Sequence, residues 1–282
     1  MAATWEHGAP MEICLVHLVW VDAGEGALRG FLKSYAEWDA GAPHRLLIIW
    51  SGFQDGDRLA TMKESAAGVP HDDLELGGRE LDLTAYRLAA ETASEESVCF
   101  VNSYSTILHD GWLALLAAQL TPTGVGLVGA TGSHESPLSG PRLPLRRLAR
   151  SGRYPPFPNP HLRTNAFMLR RDLFLSLRWP RAVTKESAWE LESGVESLTR
   201  QVGARGLETL VVGRDGVGYP SGRWRESATF RAGDQRNLLV ADNRTRQYEQ
   251  AGSRMRRRLE RLAWGGAEPA VGSGRRPRAQ PE

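Results

Sequence analysis

The sequence predicts an α/β protein, a single domain built on one mainly parallel sheet flanked by helices, and three observations carry that expectation. Nearly continuous apolar runs at residues 13–20, 45–50, 97–102 and 125–130 have the length and β-branched content of strands covered on both faces. Segments with apolar residues at helical spacing lie between them, joined by short connections. The chain has 282 residues, 41% hydrophobic and 24% charged, which is enough for one large core and ordinary for a globular protein.

The elements follow in order. After the first strand and a turn over residues 21–26, Leu28, Phe31, Leu32 and Tyr35 mark a helix over residues 27–38, stopped by Gly41 and Pro43. The second strand completes a βαβ unit, which commits the sheet to parallel pairing. Helices are expected over residues 57–67 and 83–93, the second with Asp82 as its cap. The 97–102 strand leads to a helix from Gly111 for which Asp110 is placed as N-cap. Residues 132–160 are dense in Gly, Pro, Ser and Arg, with a basic apolar piece at 145–149, and a loop of that length is usually functional. A strand over 163–169, helices over 171–177 and 190–204, a strand over 210–212 and a helix over 247–264 complete the domain. The expected boundaries are 1–264 for the domain and 265–282 for a disordered basic tail.

The net charge is +2, but eight arginines against three glutamates from residue 254 onward leave the main body slightly acidic, with no general reason to bind nucleic acid. Cys14 and Cys99 lie inside apolar runs, where a thiol acts as a small hydrophobe. His17 is read as a core residue, and no His or Cys spacing suits zinc. The first apolar run is too short to span a bilayer, and Glu6 and Glu12 precede it where a leader would carry positive charge, so a cytoplasmic location is expected. P-loop and Gly-x-Ser-x-Gly motifs are absent. Gly24, Gly26 and Gly30 approach a dinucleotide fingerprint, but Arg29 stands where it requires a small residue, and Trp50 and Ser51 stand where it requires an acid.

Cys99-Phe-Val-Asn-Ser-Tyr-Ser-Thr-Ile-Leu-His-Asp-Gly-Trp-Leu113 is a buried strand that ends in small polar groups and leads into a helix. Ligands of open parallel sheets bind beyond the carboxyl ends of the strands, so Asn102, Ser103, Tyr104 and Ser105 fall where a ligand sits. This order of strand, polar signature and Gly-Trp-Leu helix resembles the central segment of family 2 glycosyltransferases of the GT-A fold. Ile49-Trp-Ser-Gly52, and Asn165-Ala-Phe-Met-Leu-Arg-Arg-Asp-Leu-Phe174 as an acceptor-side strand, are similar to other parts of that family, and the resemblance covers roughly residues 13–212.

The resemblance implies transfer of a sugar from a nucleoside diphosphate sugar to a hydroxyl of a glycan, lipid-linked or small-molecule acceptor, with inversion. Asp22, Ser51 and Gly52 would line the nucleoside pocket and Asn102, Ser103 and Tyr104 would face the diphosphate. The family holds Mg2+ or Mn2+ with a carboxylate pair, whereas this chain has Asn102 and Tyr104 there, two neutral groups in place of two anions. Either a metal binds weakly through other groups, or cations and backbone amides replace it, or catalysis has been lost. Arg223, Arg225, Arg231 and Arg236 are candidate cations, because guanidinium binds phosphate in a planar fork.

Inverting members of the family take the acceptor proton with a carboxylate near a late helix, and Glu192 occupies the corresponding place, with Glu196 and Glu190 in reserve. The alternative is a helix whose glutamates are merely solvated and whose buried side is Trp189, Leu191, Val195 and Leu198. The helix carrying Met255, Leu259 and Leu262 among arginines either docks on its own domain or lies on an anionic membrane. Two rival functions remain: a catalytically silent GT-A-like domain that binds nucleotide sugar or glycan, and an NAD(P)-binding Rossmann enzyme.

Overall fold

The computed structural model describes residues 11–77, 82–139, 152–179 and 185–266. The basic apolar piece at 145–149 and almost all of the expected tail lie outside the described residues.

In chain order, β1 (Ile13–Trp20) runs through a 3-10 turn (Val21–Ala23) into α1 (Glu25–Glu37), then β2 (Arg45–Ser51), α2 (Gly56–Ala66), β3 (Asp72–Leu76), α3 (Asp82–Thr92) and β4 (Ser97–Val101). β5 (Thr106–Ile107), α4 (Trp112–Leu120), β6 (Val125–Gly129), β7 (Gly132–Ser133), β8 (His161–Leu162) and β9 (Ala166–Arg170) follow. The rest is α5 (Arg171–Ser176), α6 (Lys185–Ser193), α7 (Leu198–Gly203), β10 (Glu208–Val212), β11 (Gly218–Pro220), a 3-10 segment (Ser221–Ser227), β12 (Val240–Ala241), α8 (Asn243–Glu249) and α9 (Ser253–Trp264).

One eight-stranded sheet, in the order β11-β10-β6-β9-β4-β1-β2-β3, joins both halves of the chain. β1, β2, β3 and β4 pair in parallel, as do β6 and β10. β9 is antiparallel to both β4 and β6, and β11 is antiparallel to β10. The sheet is thus mainly parallel, as the sequence predicts, with β9 as the exception that builds the site.

Strand residues alternate between two cores, because successive side chains point to opposite faces. Leu15, Ile48, Trp50, Cys99 and Met168 meet Phe31 of α1, Met62 of α2 and Trp112 of α4 on one face. Val16, Leu47, Ile49, Phe100 and Phe167 meet Tyr86 of α3, Phe174 of α5 and Leu198 of α7 on the other. Cys14 and Cys99 are free thiols in opposite cores, as their apolar surroundings imply. His17 is fully buried and stacks on Phe31 at 3.6 Å, and burial lowers its pKa to about 3, so the ring is neutral.

Several sequence expectations are corrected. Asp110 does not cap α4: the N-cap is Gly111 at φ 71°, and the Asp110 carboxylate accepts the Asp39 N–H at 2.9 Å instead. The helix expected over 190–204 is two helices, because Gly194 packs against the α6 backbone so closely that a Cβ there would lie 2.5 Å from the Glu190 carbonyl oxygen. Its predicted buried side is half right, with Leu191 and Leu198 buried and Trp189 and Val195 exposed. The helix expected over 247–264 breaks before α9, whose N-cap is Gly252. Leu259 and Ala263 of α9 are buried and the Trp264 indole N–H donates to the Phe230 carbonyl at 2.9 Å. Of the apolar side expected from sequence, Leu259 thus docks on its own domain, Leu262 is half-buried and Met255 stays exposed. Among the described residues no helix is long and apolar enough to cross a membrane.

Candidate functional site

The carboxyl ends of the parallel strands define one edge of the sheet. Trp20 pairs with Ser51 and His17 with Val101, so Asp22, Ser51, Gly52 and the 102–104 tip follow three adjacent strands out of that edge. Asp22 is exposed on the 3-10 turn, whereas Ser51 is buried at the end of β2. Gly52 adopts φ 84°, and a Cβ there would lie 2.7 Å from Val21 Cγ1, so only glycine lets β2 end beneath that turn.

The three tip side chains behave differently. The Asn102 Oδ1 accepts the Tyr104 N–H and the Ser105 hydroxyl, each at 3.0 Å, in a self-closed turn. Ser103 is buried; its hydroxyl accepts the Trp20 N–H at 3.1 Å and donates to the Leu18 carbonyl at 2.7 Å, tying β4 to β1 instead of facing a ligand. Tyr104 is 38% exposed, and its carbonyl accepts from Arg246 at 2.8 Å.

A neutral amide oxygen already accepting two hydrogen bonds, beside a phenol, does not fit Mg2+ or Mn2+, which bind hard anionic oxygens. Among the described residues no group of three or more His, Cys, Asp and Glu side chains is placed to hold a metal ion.

From this tip a buried polar network runs inward. The Asn102 N–H donates to the Asn165 carbonyl at 3.0 Å, and the single Ser105 hydroxyl proton is shared between Asn102 Oδ1 and that carbonyl, 2.8 Å away. The Asn165 side-chain oxygen accepts from Thr131, whose own oxygen accepts from Arg163 at 3.3 Å. Arg163 pairs with Asp242, which caps α8 by accepting from the Arg244 and Thr245 backbone. Burial alone would raise the Asp242 pKa, but the Arg163 guanidinium and the Thr245 bonds hold it below the usual carboxylate range. The antiparallel β9 makes this possible: Ala166 pairs with Val101, which brings the residues preceding β9 to the end of β4.

The network ends at a cleft of about 410 Å³ whose walls include Glu135, His161, Arg163, Glu192, Phe230 and Arg231. β7 and β8 pair Ser133 with His161, so the loops on either side of that pair form one wall, while α6, α8 and α9 supply the others. Glu192 enters from α6, where its Oε1 accepts the Thr164 N–H at 3.2 Å. Burial lowers the His161 pKa, and Nδ1 donates to the Asn159 carbonyl at 2.8 Å, which leaves the Nε2 lone pair of a neutral ring. Arg231 is only 2% exposed, at φ 44°, with Nη1 on Glu135 at 2.7 Å. Burial lowers its pKa, Glu135 opposes that shift, and the like charges of Arg163 and Arg244 add to it. Both Arg163 and Arg231 lie over the Phe230 ring, at 4.2 and 4.9 Å from its centre.

Of the three candidate glutamates, only Glu192 lines this cleft. Glu190 lies roughly 200° around a helix from it and pairs with Arg153, and Glu196 pairs with Arg178 at 3.0 Å; both border a separate recess of about 100 Å³. Arg231 belongs to the cleft and not to the Asp22 and Ser51 part of the edge. Arg223 pairs with Glu226, Arg225 with Glu260, and Arg236 is exposed. Glu135 and Arg244 were not singled out from sequence: Glu135 sits in a loop without periodicity, and Arg244 in a short helix that is polar at nearly every position. The fingerprint glycines lose their force, since a Cβ at Gly26 or Gly30 would meet nothing within 4 Å and close helix packing does not require them.

No family model and no curated protein matches the chain. Among solved structures it is similar to a mannosyltransferase from Pyrobaculum calidifontis in complex with GDP-Man and Mn2+, at 15% identity and TM-score 0.48, over 80% of this chain and 63% of that one. It is similar also to glucosyl-3-phosphoglycerate synthase from Mycobacterium tuberculosis in complex with Mn2+, UDP and glucosyl-3-phosphoglycerate, at 17% identity and TM-score 0.41 over 60% of each chain. TarS of S. aureus matches at 14% identity and TM-score 0.42, over 64% of this chain and 54% of that one. The chain spans about six-tenths of the length of the first two structures.

Proposed function

We propose that the chain is a GT-A-like glycosyltransferase that moves a sugar from a nucleoside diphosphate sugar to an acceptor hydroxyl with inversion, without a carboxylate-held metal. The observation that supports this most is the position of Glu192: a carboxylate in a cleft that a hydrogen-bonded network joins to the carboxyl edge of the sheet. In this reading Asp22, Ser51 and Gly52 lie along the nucleoside, and Asn102 and Tyr104 along the diphosphate. The acceptor oxygen bonds to the anomeric carbon while the bond from that carbon to the diphosphate oxygen breaks. The nucleoside diphosphate leaves with the electron pair, and the hydroxyl proton passes to Glu192. Arg246, held on the Tyr104 carbonyl and the Thr106 hydroxyl, brings positive charge to the tip where the leaving diphosphate develops its own. Two free thiols, both buried, support a reducing compartment, and we assign the protein to the cytoplasm.

A second reading, a silent domain that binds nucleotide sugar or glycan, is favoured by the closed turn at Asn102. Incubating the chain with a panel of nucleoside diphosphate sugars and hydroxyl acceptors separates the two. Turnover that disappears in Glu192→Gln supports the transferase; donor binding without turnover in the unmodified chain supports the silent domain.

A further inference from the structure

Arg231 is a buried cation whose charge is only partly met. Its Nη1 has Glu135, which is itself 34% exposed, but its Nε has no hydrogen-bond partner among the described residues. Arg163, beside it on Phe230, already has Asp242. Arg244, on α8, lines the same cleft with no ion pair among the described residues, and its charge repels that of Arg231. A buried guanidinium held next to two others is costly to maintain unless something negative occupies the space between them. The cleft has the volume of a small-molecule site, and Phe230 gives it one apolar wall.

We infer that this cleft takes an acceptor bearing a phosphate or carboxylate group, which Arg231 and Arg244 grip while Glu192 faces its hydroxyl. The inference rests on the reading of Glu192 as the base, and it narrows the acceptor to a small hydroxylated acid. Guanidinium forks match both oxyanions in their plane, so both belong to one ligand chemistry. Glu192 and Glu135 set the register, because they repel the anion from their own side of the cleft and leave it to the arginines.

The test is calorimetric binding to the full chain at low salt, without donor, using glycerol 3-phosphate, glycerate and uncharged glycerol. Glycerol 3-phosphate or glycerate should bind saturably where glycerol at the same concentration does not, and the stronger of the two identifies phosphate or carboxylate as the natural group. Arg244→Gln, at an exposed position, should weaken that binding by about tenfold or more without changing the melting temperature. Glu192→Gln, which removes a negative charge from the cleft, should bind the anion as tightly as the unmodified chain or tighter. Equal binding of glycerol, an unaltered affinity in Arg244→Gln, or simple competition by UDP would overturn the inference, the last by assigning the arginines to the donor diphosphate. Loss of sugar transfer with anion binding intact would count against the transferase reading alone.

Discussion

Arg163, in the segment between β8 and β9, donates from Nη2 to the Asp242 carboxylate at 2.5 Å across 79 residues of chain. Both are buried, and the pair joins the polar end of the sheet to the N-terminus of α8 and so to the cleft wall. Removing one member of a buried pair leaves the other charge unmatched, which costs far more than the pair's net contribution.

Asp242→Ala is accordingly expected to lower the unfolding free energy by about 3–5 kcal/mol, with a further ~1 kcal/mol from the lost helix cap. Urea denaturation measures this. A loss under 1 kcal/mol would mean that Arg163 finds another partner or is solvated, and the connection between tip and cleft would then be unsupported.

Ser103 provides a sharper discrimination. Its hydroxyl makes two bonds to the backbone of β1, so Ser103→Ala should cost about 1–3 kcal/mol of stability while leaving donor affinity unchanged. A variant with unchanged stability and weakened donor binding would instead make Ser103 a ligand-facing group.

His17 gives the protein a defined acid sensitivity. Its folded pKa of about 3 lies below the ordinary imidazole value of 6.5, so protons bind preferentially to the unfolded chain. The corresponding stability is fully present above pH 6.5 and is lost as the pH falls toward 3, at about 1.4 kcal/mol per pH unit. His17→Phe, which keeps the stack on Phe31, should flatten the fall in unfolding free energy between pH 6.5 and 5 by about 2 kcal/mol. An identical slope in both proteins would show that His17 titrates normally.

Much of the sheet was legible because strands covered on both faces are apolar at every position, as in Ile13–Trp20. β3 escaped notice because its sequence, Asp-Asp-Leu-Glu-Leu, belongs to an edge strand with one face in water. Helix breaks at Gly194 and Gly252 were invisible to periodicity, since apolar spacing continues across both. In the site, Glu192 was named from its place near a late helix and Arg231 as a phosphate-binding cation, and both line the cleft. The Ser103 assignment assumed that a polar residue at a strand end faces outward, whereas here its hydroxyl satisfies the backbone of β1. Arg163 was visible only as the start of an expected strand, and Glu135 and Arg244 not at all. What unites them is the antiparallel insertion of β9, a tertiary choice that local pattern does not encode.

The most direct measurement is single-turnover sugar transfer by the unmodified chain and by Glu192→Gln, with donor affinity determined in parallel. The account predicts a fall in the transfer rate of about 10²–10⁴-fold with donor affinity nearly unchanged. A glutamine variant that transfers sugar at the original rate would contradict it, because the cleft would then hold no essential base at that position.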